Sequence, residues 1–240
     1  MSDAVNLSIA PDSTDDRQLQ SQAQRPPERA FIGALAELVS LDQRHAPELF
    51  VAGSDPSIWR WLPFEGFRSI GDARAWIAAA REAASRGDEE AFAIIDRSSG
   101  RVVGSTRFMN IRSAERAVEI GWTWLSQPAQ RTGVHLEAKA LMLRHAFEDC
   151  GALRVEFFCD EHNGRARASL VRLGATYEGT LRFHRCSGDV RRNSAAYSIT
   201  APEWPQVRAG VQQRFLRASR VQQPWHPSIL AARRPPKKPD

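Results

Sequence analysis

The run Glu119-Ile-Gly-Trp-Thr-Trp-Leu125, followed by Gln130-Arg-Thr-Gly-Val-His135 and a long apolar stretch, constrains this chain most. Residues 116–125 alternate, with Val118, Ile120, Trp122 and Trp124 on one face and Glu119, Gly121 and Thr123 on the other, which predicts a strand. A glycine turn then leads into a helix over 134–149. Such a helix start leaves several backbone N–H groups unpaired around one point, where they can hold an anion. The strand thus ends in an anion cradle, and a carboxylate, Glu119, stands a few residues upstream as a possible general base.

The flanking segments fix the rest of the order. A short strand at 34–41 leads into a helix capped by Asp42, and a second helix starts near Asp72 and runs through Trp76, Ile77 and Ala80 toward Gly87. Strands follow at 91–96 and 101–110, joined by the hairpin turn Ser98-Ser-Gly100. After the helix over 134–149 come a strand at 153–159 and a helix from Asn163 that Gly174 ends. Strands 176–186 and 190–199 close the unit across Ser187-Gly-Asp189. Hairpins first and strand–helix alternation afterwards predict a mixed sheet.

Charge and proline mark the ends of the folded part. The net charge of +5 invites a nucleic-acid reading, but residues 201–240 hold eight basic residues against Glu203 and Asp240. The remainder is close to neutral. Three of the 14 prolines precede residue 28 and seven follow residue 200. The expected division is a disordered polar tail over 1–28, one domain over 29–200, and a segment over 201–240. That last segment has a helix at 202–217, with Trp204, Val207, Val211 and Phe215 at helical spacing, and a basic, proline-rich end. The acidic N-terminus, Asp3 to Asp16, is not a signal peptide, and no window reaches the apolar length of a membrane span. Cys150, Cys159 and Cys186 are odd in number and irregular in spacing, which favours a reducing cytoplasm over a disulfide framework. Cys159-x-x-His162 is half a metal site with no second pair at ligand spacing, so no metal is expected.

With these elements in order, the residues resemble the GNAT superfamily of acyl-CoA-dependent N-acetyltransferases. The likeness is greatest to its RimJ/RimL branch of ribosomal-protein N-terminal acetyltransferases. It is carried by Glu119-Ile-Gly121, Gln130-Arg-Thr-Gly133, Asn163 with Arg165 and Arg167, Leu173-Gly-Ala175, Glu178-Gly179 and, upstream, Asp55-Pro-Ser-Ile-Trp59. The resemblance spans about residues 34–200. It implies an α/β (α+β) fold with a mixed, mostly antiparallel central sheet flanked by helices. In that fold a splayed strand pair, here 116–125 and 153–159, holds the acyl-CoA arm.

The same resemblance assigns candidate residues. Leu125, Gln130, Arg131, Thr132, Gly133, Val134 and His135 would bind acetyl-CoA at the end of the strand and the phosphate turn. Gly133 would let the backbone approach without a Cβ. His135 stands where the superfamily has a small residue, and Ala166 where it often has a serine. Asn163 would contact the arm, and it is equally a good N-cap. Glu119 would be the general base, on the face opposite the tryptophans. Its ordinary pKa near ~4.3 is far from that of an ammonium, so burial or a water relay must help. Neither Tyr177 nor Tyr197 occupies the position of the usual tyrosine acid, and no acid is assigned.

The expected reaction moves an acetyl group from acetyl-CoA to a primary amine by direct attack, with a protein N-terminal α-amine as acceptor. A small-molecule amine acceptor (an antibiotic, polyamine or amino acid) is the alternative. From another class, a non-catalytic CoA-binding or ribosome-associated protein remains open. Neither a membrane nor a nucleic acid is an expected partner, apart from ribosome contact through the basic tail.

Overall fold

The alternating strands assemble into one sheet in the computed structural model, which describes residues 29–187, 190–218 and 228–230. Its strands are β1 (Ala30–Ile32), β2 (Ala36–Ser40), β3 (Glu89–Asp96), β4 (Arg101–Arg112), β5 (Ala117–Leu125), β6 (Arg154–Asp160), β7 (Thr176–Ser187), β8 (Val190–Thr200) and β9 (Ser228–Leu230). They lie in the order β7-β8-β6-β5-β4-β3-β2-β1-β9. Every neighbouring pair is antiparallel except β5 and β6, which a helical crossover makes parallel. The sheet is therefore mixed and mostly antiparallel, as the sequence predicts. β1 and β9 are additions to the expected elements, and β9 pairs with β1 from the C-terminal segment, before the basic end at Arg233.

Helices cover both faces. On one face lie α1 (Ala46–Ala52) and α2 (Ile70–Ser85), packed on an aromatic cluster that includes Trp59, Phe67, Trp76 and Trp124. On the other lie α3 (Val134–Arg144), which continues as a π-helical turn over His145–Asp149, α4 (Gly164–Leu173) and α5 (Trp204–Ala218). These bury Leu141, Met142, Phe157, Ile199 and their neighbours. Trp204, Val207, Val211 and Phe215 of α5 join the same core, and Trp204 Nε1 donates to Glu148 Oε1 at 2.9 Å. A buried tryptophan finds a partner for its N–H in this way.

Local chemistry sets the helix starts. Asp42 caps a 3-10 turn (Gln43–His45) ahead of α1 rather than the α-helix itself. α2 begins at Ile70, two residues before Asp72: Ser69 and Asp72 form a capping box, each side chain accepting the other's backbone N–H. Asn163 caps α4 through Ala166 N–H at 3.1 Å, and Gly174, at φ 104°, ends it.

Candidate active site

β5 and β6 form a fork. They pair at only three positions, Ala117 with Arg154 through Glu119 with Glu156, although β5 continues to Leu125 and β6 to Asp160. β6 stays paired with β8 along that length, so it is β5 that turns away. The cause is a bulge: the β4–β5 register shifts between Ser105 and Arg107, and Trp122 opposite it has φ 48°. A left-handed tryptophan costs about 1–3 kcal/mol and re-aims everything after it.

The bulge overturns the expected alternation. Val118, Ile120 and Leu125 pack with the α3 face, while Trp122 and Trp124 pack with the aromatic cluster on the other. Glu119 and Gly121 share a pocket with Trp122. Glu119 therefore stands beside a tryptophan instead of on the opposite face from it.

That pocket opens at the mouth of the fork, with about 580 Å³ of space reaching out to solvent. Trp61, Met109, Trp122 and Phe158 supply apolar walls, and Glu119, Arg185 and Asn193 the polar ones. Glu119 is 2% exposed. Burial raises its pKa above the ordinary carboxylate value; the charge of Arg185 and the amide of Asn110 pull the other way. Arg185 Nη2 donates to Oε1 at 2.9 Å and Oε2 at 3.2 Å, and Asn110 Nδ2 donates to Oε2 at 2.5 Å. Asn110 reaches Glu119 from a second bulge in β4, at φ 49°, a conformation asparagine tolerates better than most residues. The carboxylate is thus buried enough to bind a proton more readily, while two donors favour its ionised form.

The turn at the other end of β5 is a backbone device. Arg131 has φ 67° and Gly133 φ 94°, so successive N–H groups turn toward one side at the start of α3. Among the described residues, the N–H groups of Arg131, Thr132, Gly133 and His135 have no hydrogen-bond partner. The side chains are occupied elsewhere. Gln130 Nε2 donates to Leu125 O at 3.0 Å, and Gln130 Oε1 accepts from Arg165 Nη1 at 2.5 Å. Thr132 Oγ1 donates to Ala129 O at 2.7 Å. Leu125 and Val134 are buried in the core, Arg131 is exposed, and His135 is half-buried. Burial, with Lys139, Arg165 and Arg172 nearby, pushes His135 down to about 3, so it is neutral at physiological pH. Gly133 is needed for its backbone angle, and a Cβ there would lie 2.9 Å from Leu35 Cδ1.

An elongated ligand with a phosphate at one end fits these features. Its phosphate would take the four free N–H groups with Arg131 beside them, and its chain would pair with the edge of β5 that β6 leaves bare. Asn163 stands as a cap, its oxygen taken by Ala166 N–H. Arg185 and Asn110 were missed in the sequence because nothing in their spacing points to Glu119. Only the bulge at Asn110 and the length of β7 bring them there.

The sequence pattern described as the acetyltransferase (GNAT) domain matches residues 36–176. The chain belongs to the GNAT acetyltransferase family. A GCN5-related N-acetyltransferase from Brucella melitensis superposes with a TM-score of 0.73 at 28% identity, over 79% of this chain and 89% of that one. A T. thermophilus protein described as an acetyltransferase does so with a TM-score of 0.70 at 31% identity, over 79% and 98%. Mycobacterium smegmatis RimJ, solved with CoA-disulfide, gives a TM-score of 0.69 over 81% and 97%, and at 22% identity that likeness speaks to the fold alone. No curated protein matches the sequence significantly. As a GNAT protein, the chain is an acyl-CoA-dependent N-acetyltransferase. Among the described residues no helix is long and apolar enough to cross a membrane.

Proposed function

We propose that the protein transfers an acetyl group from acetyl-CoA to the α-amine of a protein N-terminus, as in the RimJ/RimL branch, with Glu119 as general base. One observation carries the reading: a carboxylate 2% exposed, of raised pKa, lines an open pocket at the mouth of the β5–β6 fork. The turn 130–135 would hold the CoA phosphates, with Arg131, Thr132, Gly133 and His135 giving N–H groups and Gln130, Leu125 and Val134 keeping the turn in place. Asn163 would stand beside the arm. When bound, acetyl-CoA supplies the activated acyl group. Glu119 takes the proton of the attacking amine, directly or through water in the pocket.

The acceptor's pKa matters to a weak base. An α-amine near ~8 is about one-tenth neutral at pH 7, whereas a lysine amine near ~10.4 is almost wholly charged. A buried carboxylate of modestly raised pKa therefore suits an α-amine better. A compact amine is the second reading, favoured by the aromatic walls of the pocket. CoA release measured with acetyl-CoA and a panel of short peptides, lysine derivatives and small amines decides between them. Turnover confined to small amines would sink the N-terminal assignment, and turnover with none of them would sink both.

A further inference from the structure

Lys139 is a buried amine for which the reading above has no task. It lies in α3 among Ala138, Ala140, Leu141 and Met142 and is 5% exposed. Its Nζ reaches the fork from the face opposite Glu119. It donates to Thr123 Oγ1 at 2.9 Å and toward Ile120 O at 3.5 Å, and lies 5.1 Å over the Phe157 ring. Ile120 and Thr123 belong to the stretch of β5 that β6 abandons, and Phe157 to the opposite arm. The amine therefore spans the gap between the two arms. An ammonium carries three protons, and two of these find acceptors among the described residues. No carboxylate lies at ion-pair distance from it among those residues. A charge buried so incompletely paired is expensive, and methionine or leucine would fill the space without that cost.

Resting on the proposed function, we propose that Lys139 is the general acid of the transfer and protonates the departing sulfur from the face of the fork opposite Glu119. The acceptor nitrogen forms the C–N bond, the C–S bond breaks, and sulfur keeps that electron pair and takes a proton from Lys139 Nζ. The proton lost by nitrogen goes to Glu119. Proton exchange with solvent, for Glu119 through the open pocket and for Lys139 once CoA has left the fork, then returns Lys139 to its charged form and Glu119 to its ionised form, with no further reactant. The groups around the amine leave it to this role. Cys159, on β6, is pushed up to about 11 by burial, and His135, one turn earlier on α3, down to about 3, so both are neutral near pH 7. Burial pulls Lys139 down to about 7 against the opposing charge of Glu119, which suits a proton donor at that pH.

The test compares full-length wild type with Lys139→Met and Lys139→Arg, and uses Lys139→Gln if methionine does not fold. The first readout is the thiolate ultraviolet absorbance of bound CoA against pH. The bound thiol should ionise at a lower pH than a free thiol near ~8.5 in the wild type and in Lys139→Arg, and move back toward that value in Lys139→Met. The second is kcat. Lys139→Met should lose roughly 10²-fold with the KM for acetyl-CoA little changed, and Lys139→Arg should lose about as much, since a guanidinium holds its proton. The wild-type kcat should also fall as pH rises through the lysine's value, a limb absent from Lys139→Met. Wild-type rates in Lys139→Arg would overturn proton donation, and so would a bound thiol that titrates alike in wild type and Lys139→Met. A wild type that acetylates no amine but shows the Lys139-dependent thiol shift would overturn the acceptor reading while upholding the contact with sulfur.

Discussion

The two ends of β5 are built on opposite principles. The turn at 130–135 comes from consecutive residues, and its useful groups are backbone N–H donors; Gln130 and Thr132 spend their side chains on holding the turn together. The Glu119 end is assembled from Trp61, Asn110, Trp122, Phe158 and Arg185, spread across the sequence and brought together by two bulges and the β7–β8 hairpin. At the turn, a change should matter through φ and ψ. At the pocket, it should matter through charge and donors. Substitutions at the two ends can test that difference directly.

The largest effect is expected at Glu119. Glu119→Gln should lower kcat by roughly 10²-fold at pH 7 and leave acetyl-CoA affinity nearly unchanged. Because the pKa of Glu119 is raised, wild-type activity should fall with decreasing pH through a value above the ordinary carboxylate range, and the mutant should lack that limb. The deficit should shrink at high pH, where the acceptor is neutral unaided. Stability should move the other way. A carboxylate whose folded pKa is raised contributes its full stability below its unfolded pKa and loses it as pH rises through the folded value. The ionised group therefore costs stability at pH 7. The variant should melt no lower than wild type there, the more so because Arg185, with its side chain 35% exposed, can hydrate once unpaired. A kcat equal to wild type would reduce Glu119 to a structural strand residue.

This contrast also explains what was legible in the sequence. The order of elements, the mixed sheet, the glycine turn and the fork follow from periodicity, caps and the match to the family pattern, all of which are local signals. The bulge at Trp122 was not legible: alternation continues through the residues on paper, and only the pairing with β4 shows that a residue is inserted. That single insertion moved Trp122 and Trp124 to the side of Glu119. Arg185 was invisible for a related reason, since it depends on the register of a long hairpin. Lys139 carried a faint signal, one charged residue within the apolar run Ala138 to Leu143, four positions after His135.

The next effect belongs to the turn. Gly133→Val forces a β-branched residue to φ 94° and toward Leu35, so it should weaken acetyl-CoA binding about 10- to 100-fold, the equivalent of ~1–3 kcal/mol of backbone strain. By contrast, Gln130→Ala and Arg165→Ala remove side chains that only brace the turn, and each should cost no more than about threefold to fivefold in affinity. Calorimetry on folded variants checks both. If Gln130→Ala proved worse than Gly133→Val, the turn would be a side-chain site and the contrast with the Glu119 pocket would collapse.

The smallest effect should come from removing the residues after Ala218. α5 keeps its place, because Trp204, Val207, Val211 and Phe215 are in the core. The loss includes β9, three residues paired with β1 at the outer edge of the sheet, away from both ends of β5. An edge pairing that short should lower Tm by only a few degrees, and four strands separate β9 from β5 in the sheet, so kcat on a small amine should stay within about twofold. The removed stretch also carries Arg220, Arg233, Arg234, Lys237 and Lys238. If these dock on an anionic partner such as the ribosome, activity toward that partner alone should drop, and the gap should narrow as salt is raised. Loss of turnover toward every acceptor would mean that the C-terminal residues act on the site itself, and that the machinery extends beyond the two ends of β5.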